Sequence, residues 1–251
     1  MTNILLSGCL GKMGQAITRV ASASGSCAVT CGFDINYAPD SEYPVYQSLA
    51  DVTENIDVII DFSHPSSLEN ILAFAKQKKL PAVICTTGLS KEQIDLIEQA
   101  SEEIPLFFSA NMSVGVSLII DLATRAAKIL QNGFDIEIIE KHHNQKVDAP
   151  SGTALAIADA ISNELDYSPE YTYDRHSVRK KRDKAEIGIH AVRGGTIVGE
   201  HSVIFAGLDE VIEINHSAAS KEVFAVGAIR AAEFLKDKPI GFYNMKSLIS
   251  E

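Results

Sequence analysis

Hydrophobic and polar positions follow two rhythms in the N-terminal part of the chain. Short apolar runs recur at Ile4 to Leu6, in "AVTCGFD", in "DVIIDF", in "PAVICTTG" and in "PLFFSAN". Runs of this length without strict alternation suit strands buried on both faces. Between them, "SLENILAFAKQKK" and "SKEQIDLIEQASEE" carry apolar residues at helical spacing. The second opens with Ser90-x-x-Gln93, a capping-box pattern. The first run leads into a further helical pattern through Ile17 and Val20 or Ala21. Strands alternating with helices predict parallel βαβ units.

The rhythm changes after Asn111. "SVGVSLIIDLATRAAKILQ" predicts a strongly apolar helix, followed by strand-like "DIEIIEKHH". "SGTALAIADAISNEL" predicts another helix, with Pro150 and Ser151 at its start. Then "AEIGIHAVRGG", "EHSVIFAG" and "DEVIEINHSA" read as strands punctuated by Gly-Gly and Gly-Leu-Asp turns. This half predicts a mixed or antiparallel sheet and an α+β domain. "KEVFAVGAIRAAEFLKDKP" predicts a final helix, stopped by Pro239.

Composition narrows the function classes. The chain has 251 residues, 46% of them hydrophobic and 22% charged, enough to bury a core without disulfides or structural metal. A formal net charge of −11 argues against a nucleic-acid partner, which basic surface would attract. No apolar run is long enough to cross a bilayer, and the opening "MTNILLSGCLGKMG" does not read as a signal peptide. The four cysteines, Cys9, Cys27, Cys31 and Cys85, lack paired spacing, and are expected to be reduced thiols in a cytoplasmic protein.

The chemistry begins at the first strand-to-helix junction. Gly8, Gly11 and Gly14 stand where glycine lets a backbone approach a pyrophosphate, ahead of helix N–H groups that favour an anion. The spacing G-x-x-G-x-x-G is a variant of the usual fingerprint and is weak alone. Asp34, twenty residues beyond Gly14, closes the second strand. It is placed either to accept hydrogen bonds from an adenosine ribose or as a solvated loop aspartate. Further strand ends carry Phe62-Ser63-His64, Cys85-Thr86-Thr87-Gly88 and Ser109-Ala110-Asn111-Met112. Ligands bind outside the carboxyl edge of such a sheet, although these residues also suit ordinary turns. The pattern predicts a Rossmann-type dinucleotide-binding domain with a nicotinamide-side rim.

A second concentration of chemistry lies in "EKHHNQKVDAPSGTA", Glu140 to Ala154. His142 and His143 end a predicted strand and so point to opposite faces, which disfavours a metal site using both. Ser151, Gly152 and Thr153 open a helix, either as a simple cap or as a seat for a carboxylate. Imidazole and a cation-flanked lysine can act near neutrality, so His142, His143 and Lys146 are candidates for acid chemistry. Asp148 reads as a partner of these groups or, preferably, as a loop residue. Arg193 reads as a strand-end salt bridge or a substrate contact. The run from Arg179 to Arg182 reads as a solvated loop, with a mobile segment near an anionic substrate or a subunit contact as the sharper alternative. The residues alone predict a nicotinamide-dependent enzyme acting on a small carboxylate.

The same string closely resembles the signature of the dihydrodipicolinate reductase family. The resemblance extends along the chain through "GCLGKMG", "DFSHP", "TTG", "NMSVGV", "RGGTIVGEHSVIF" and "FYNM". It implies a Rossmann-type parallel-sheet domain over 1–112, completed by a C-terminal helix over 222–251. An α+β domain for substrate binding and oligomerisation is implied over 113–221. Gly8, Cys9, Leu10, Gly11, Lys12 and Met13 fall on the family's cofactor loop, and Asp34 on its ribose contact. Cys85, Thr86, Thr87, Ser109, Ala110, Asn111 and Met112 fall on its nicotinamide side. His142 matches its histidine acid/base and Lys146 its proton-donating lysine, while His143, Gly152 and Thr153 match its carboxylate-binding residues. The resemblance further implies NADH or NADPH as cofactor, no metal, a small dicarboxylate substrate, and a homotetramer that binds neither nucleic acid nor membrane. Three departures stand out. Lys12 replaces a common arginine, and "CTTG" replaces "GTTG", adding the Cys85 side chain near the expected cofactor path. Ile35 and Asn36 follow Asp34, with no arginine to meet a 2′-phosphate, so NADH is the expected preference. Two rival readings are a different two-domain dehydrogenase and a non-catalytic dinucleotide sensor.

Overall fold

The computed structural model describes residues 1–36 and 38–250. The elements follow in the order β1 (Thr2–Ser7), α1 (Lys12–Ser24), β2 (Cys27–Phe33), β3 (Val45–Tyr46), β4 (Val58–Asp61), α2 (Leu68–Lys78), β5 (Ala82–Ile84), α3 (Lys91–Ala100) and β6 (Pro105–Phe108). Then come α4 (Val114–Leu130), β7 (Asp135–His142), α5 (Gly152–Ser162), β8 (Glu170–Thr172), β9 (Glu186–Arg193), β10 (Gly199–Ala206) and β11 (Val211–Ala218). The chain closes with α6 (Glu222–Leu235), β12 (Gly241–Tyr243) and α7 (Met245–Ile249). It divides into two compact units: residues 1–114 with 222–251, and residues 115–221.

The first unit is built on a seven-stranded sheet in the order β12-β6-β5-β4-β1-β2-β3, and every pairing in it is parallel. Successive strand residues point to opposite faces, and both faces are covered. Ile4, Leu6, Val58, Ile60, Val83 and Phe107 pack with α1 and α6, whereas Leu5, Ile59, Ala82, Ile84 and Leu106 pack with α2 and α3. Burial on both faces is why these strands read as continuous apolar runs. The capping box at Ser90 and Gln93 is present in both directions, and it starts α3 where the pattern predicts.

The C-terminal segment differs from the single helix expected over 222–251. Pro239 lacks the N–H that would extend α6, and Gly241, Phe242 and Tyr243 pair in parallel with Pro105, Leu106 and Phe107 instead. Three extended residues are too few to announce a strand by their own periodicity.

The second unit carries a mixed five-stranded sheet in the order β11-β10-β7-β9-β8. β10 runs antiparallel to both β7 and β11, while β9 is parallel to β7 and β8. Alternation along β7 buries Ile136, Ile138, Glu140 and His142 on one face. There the isoleucines pack with Ile187, Ile189, Val203 and Phe205 under Ile119 and Ala123 of α4 and Ile157 and Ile161 of α5. The polar pair Glu140 and His142 lies at the end of this otherwise apolar row.

The basic run from Arg179 to Arg182 is only partly the solvated loop that was expected. Arg182 donates to Asp135 at 2.8 Å, to Glu137 at 2.9 Å and to the carbonyls of Ile136 and Glu186. Lys180 pairs with Glu186, and Arg175 joins Glu137 to Glu186. Acidic side chains on β7 and β9 recruit these cations; Arg179 and Lys181 are exposed.

Candidate functional site

In the first unit, β1 delivers the chain into the glycine turn. Gly8 has φ +74°, and a Cβ there would stand 2.7 Å from the carbonyl oxygen of Phe62. A Cβ on Gly14 would stand 2.4 Å from the carbonyl oxygens of Gly8 and Cys9. Only glycine lets the turn close this tightly onto α1. Gly11 is the N-cap of α1 and offers no side-chain hydrogen bond to it. An uncapped helix start behind a glycine turn fits a diphosphate. Leu10 and Met13 are half-buried, and Lys12, the first helical residue, is exposed.

Asp34 is buried rather than solvated. Its carboxylate accepts from Leu10 N at 3.1 Å, Asn36 N at 3.0 Å and Asn36 Nδ2 at 3.2 Å. It thereby ties the end of β2 to the glycine turn. These features together fit a dinucleotide.

The remaining strand ends divide by what their side chains do. Thr86 Oγ1 donates to the fully buried Asp61 at 2.6 Å, and Ser63 N donates to the other oxygen of Asp61 at 3.1 Å. Burial raises the Asp61 pKa, against the opposing effect of these hydrogen bonds. Ser109 Oγ donates to Asn111 O, and Asn111 Oδ1 accepts from Ser113 N, so this loop is held by its own polar groups. Thr87 and Ala110 are exposed. The thiols of Cys9 and Cys85 and the Met112 side chain lie in the core, leaving backbone alone to face a ligand. Cys85, expected to add a side chain near the cofactor path, is buried. Alternation along β5 turns its Sγ inward, beside Val83. Met112 O also packs against Gly227, where a Cβ would overlap it.

In the second unit the opening of α5 and the end of β7 meet. Ser151 caps α5 by accepting from Ala154 N at 3.2 Å. Pro150 thus precedes the cap rather than beginning the helix. Gly152 is exposed, and a Cβ built on it meets nothing within 4 Å, so there is room above the helix start. Thr153 follows, half-buried. His142 is the last inward-facing residue of β7, and His143, just outside the strand, is half-buried.

Glu140 is the centre of this cluster and was not singled out by its sequence. It is 0% exposed. Its carboxylate contacts His142 Nδ1 at 2.6 Å and accepts Ser151 N at 3.0 Å and both Arg193 Nη atoms at 2.8 and 2.7 Å. Burial opposes its charge, but these donors outweigh burial and hold its pKa below the ordinary carboxylate value. The spacing of Glu140 from His142, two residues along one strand face, is the signal that could have found it. Arg193, left open between two roles, is a salt-bridge residue here. Its Nη2 also donates to Asp148 O at 2.6 Å.

Asp148 is more than the loop residue preferred from sequence. Its Oδ1 lies 2.9 Å from Lys146 Nζ, and that ammonium lowers its pKa. A third histidine enters from β10. His201 Nε2 lies 3.2 Å from Ser151 Oγ, and its ring meets His142 edge to face at 5.3 Å between centroids. Desolvation, assisted by His142 and His216, pushes the His201 pKa down to about 4. Among the described residues, no group of three or more His, Cys, Asp or Glu is arranged to hold a metal ion.

Comparison with known proteins agrees with this geometry. Residues 2–112 match the family model for the dihydrodipicolinate reductase N-terminus, and residues 115–249 match that for its C-terminus. A 4-hydroxy-tetrahydrodipicolinate reductase from Clostridium tetani is 50% identical, with 100% of this chain and 98% of that protein aligned. One from Caldanaerobacter subterraneus is 51% identical, over 100% and 99% respectively. The dipicolinate-bound dihydrodipicolinate reductase from Paenisporosarcina sp. TG-14 shares the fold, with a TM-score of 0.83, 24% identity and 97% of each chain covered. With both family models matched and half its residues shared with these relatives, the chain belongs to the dihydrodipicolinate reductase family.

Proposed function

We infer that the protein is a 4-hydroxy-tetrahydrodipicolinate reductase. It reduces its substrate, via dihydrodipicolinate, to tetrahydrodipicolinate at the expense of NAD(P)H in diaminopimelate and lysine biosynthesis. The observation that carries this reading is 50% identity over the whole chain to a protein of that name.

A bound dinucleotide supplies the hydride. The glycine turn at Gly8 to Met13 and Asp34 hold its diphosphate and adenosine ribose, and the segments Cys85 to Thr87 and Ser109 to Met112 line its nicotinamide side. The uncapped start of α1 and the convergence of Asp34 on Leu10 support this assignment. NADH is the preferred form. A carboxylate at Asp34 accepts from a free 2′-hydroxyl and repels a 2′-phosphate, and Lys12 is the nearby cation that would moderate the preference.

In the second unit, His143, Gly152 and Thr153 bind the substrate carboxylates. The open space over Gly152 at a helix N-terminus supports that role. Lys146 donates the proton that completes the reduction, and His142 acts as acid/base beside it. Cationic groups and helix N–H donors stabilise charge as electrons move toward the ring nitrogen. The protein works in the cytoplasm as a homotetramer assembled through the second unit. The sheet face opposite α4 and α5 supports this assembly, with Ile139 and Ile204 half-buried and Val192 exposed on it.

The test is turnover of freshly generated 4-hydroxy-tetrahydrodipicolinate, followed through NADH and NADPH absorbance, in wild type and Lys146→Ala. NADH oxidation by wild type and a fall of about 100-fold or more in the variant are expected for loss of a general acid. Dinucleotide binding without turnover would overturn the reading in favour of a sensor.

A further inference from the structure

We propose that Glu140 and Arg193 form a positioning couple that fixes the hydrogen of His142 on Nδ1 and ties that ring to both the start of α5 and the Lys146 loop. The proposal deepens the reading above and rests on it for the roles of His142 and Lys146.

Glu140 has no solvent contact, and four donors surround its two oxygens. Oε2 faces His142 Nδ1 and Arg193 Nη1, and Oε1 faces Ser151 N and Arg193 Nη2. A carboxyl group met by a guanidinium fork and a backbone N–H is ionised. An ionised carboxylate only accepts, so the 2.6 Å contact requires His142 Nδ1 to carry hydrogen. That leaves Nε2 as the one ring nitrogen able to exchange a proton. The ring edge bearing Nε2 passes over Gly199, where a Cβ would stand only 3.1 Å from it. A side chain at residue 199 would push the ring out of this orientation.

The couple reaches two further places. Through Ser151 N it fixes the residue that caps α5, whose next two residues are the proposed carboxylate seat. Through Arg193 Nη2 it holds Asp148 O, and the Asp148 side chain holds Lys146 Nζ. Strand register makes this possible, because β7 and β9 run in parallel with His142 opposite Arg193. The His142 ring meets Glu140 on β7 and His201 on β10, Arg193 on β9 reaches it through Glu140, and the Lys146 charge acts on the same cluster, with His201 neutral above a pKa of about 4. Arg193 pairs with Glu140 through both Nη atoms, and Oε2 still accepts from His142 Nδ1.

The test uses the whole protein labelled with nitrogen-15 at its seven histidines, with His142 assigned by the signal lost in His142→Gln. In wild type near neutral pH, His142 is expected as the Nδ1–H tautomer; an Nε2–H tautomer overturns the proposal. In Glu140→Gln, loss of that tautomer preference is expected together with a fall in kcat of about 100-fold. KM and NADH affinity should stay within about threefold of wild type, as for a group acting only in the transition state. Wild-type kcat in this variant, or a pure rise in KM, overturns the proposal. If Glu140→Gln does not fold, Arg193→Lys, which keeps Glu140 ionised without the fork, should retain the Nδ1–H tautomer while kcat falls because Asp148 O and the Lys146 loop lose their anchor; an unchanged kcat overturns the proposal. Absence of wild-type turnover would sink the enzyme assignment instead, and the tautomer measurement would still stand by itself.

Discussion

Arg193 grips Glu140 through both Nη atoms, at 2.8 and 2.7 Å, across 53 residues of sequence. Removing the arginine would leave a carboxylate without its charge partner inside the second unit. Arg193→Met is therefore expected to cost about 3 kcal/mol or more in urea unfolding, the usual penalty for stranding one member of a buried pair. Adding Glu140→Gln to that variant should recover part of the loss. A cost below about 1 kcal/mol would place the pair among solvent-screened surface bridges.

Acid should weaken the protein through Glu186. The Arg175 guanidinium holds this carboxyl at a pKa of about 2, below its ordinary 4.5. The resulting stabilisation is complete above the ordinary value and is lost as the pH falls toward the folded value. Unfolding midpoints should fall as the pH drops from 4.5 to about 2, and Glu186→Gln should flatten the fall.

His201 acts at higher pH and in the same direction. Burial pushes its pKa from 6.5 to about 4, so the unfolded chain takes up its proton first. Stability should therefore decline as pH drops through this interval, and His201→Asn should remove that part of the decline. A proton NMR titration of the His201 ring with its midpoint near 6.5 would contradict the burial seen here.

Gly14→Ala should disable the dinucleotide site. Its Cβ would meet two backbone carbonyl oxygens at 2.4 Å, and neither can rotate away as a side chain would. NADH affinity, read by fluorescence titration, is expected to fall at least about tenfold as the turn moves off the start of α1. Unchanged affinity would mean that the turn is not the diphosphate seat.

Asp34→Ser should raise the ratio of NADPH to NADH efficiency by about tenfold or more, by removing the charge that opposes a 2′-phosphate. The ratio of the two kcat/KM values checks this. A ratio unmoved by the substitution would shift the preference onto Lys12 or another group.

Most of the fold was legible because its signals are local. Burial of β1, β4, β5 and β6 on both faces leaves continuous apolar runs, and the alternation along β7 is visible in "DIEIIEKH". The glycine turn was readable for the same reason, since its spacing is contained within seven residues. Arg193 and Glu140 were not, because nothing near either residue states that β9 lies beside β7. Asp148 looked like a loop residue because its partner depends on how the loop folds back. Arg182 looked solvated because its acidic partners lie on strands more than forty residues earlier. Cys85 could be placed in sequence, but the direction of its thiol followed only from the register of β5.

The pairing of β12 with β6 bears on how the chain acquires its structure during synthesis. Phe242 meets Leu106 only after 135 intervening residues have been made, whereas residues 115–221 form one uninterrupted stretch. The second unit can therefore complete itself on the ribosome while the first still waits for α6 and β12. Throughout that interval β6 presents an open strand edge carrying Leu106 and Phe107, which is a template for wrong pairing. Conditions that slow translation of the last thirty or so residues would lengthen the exposure of that edge without altering the finished molecule.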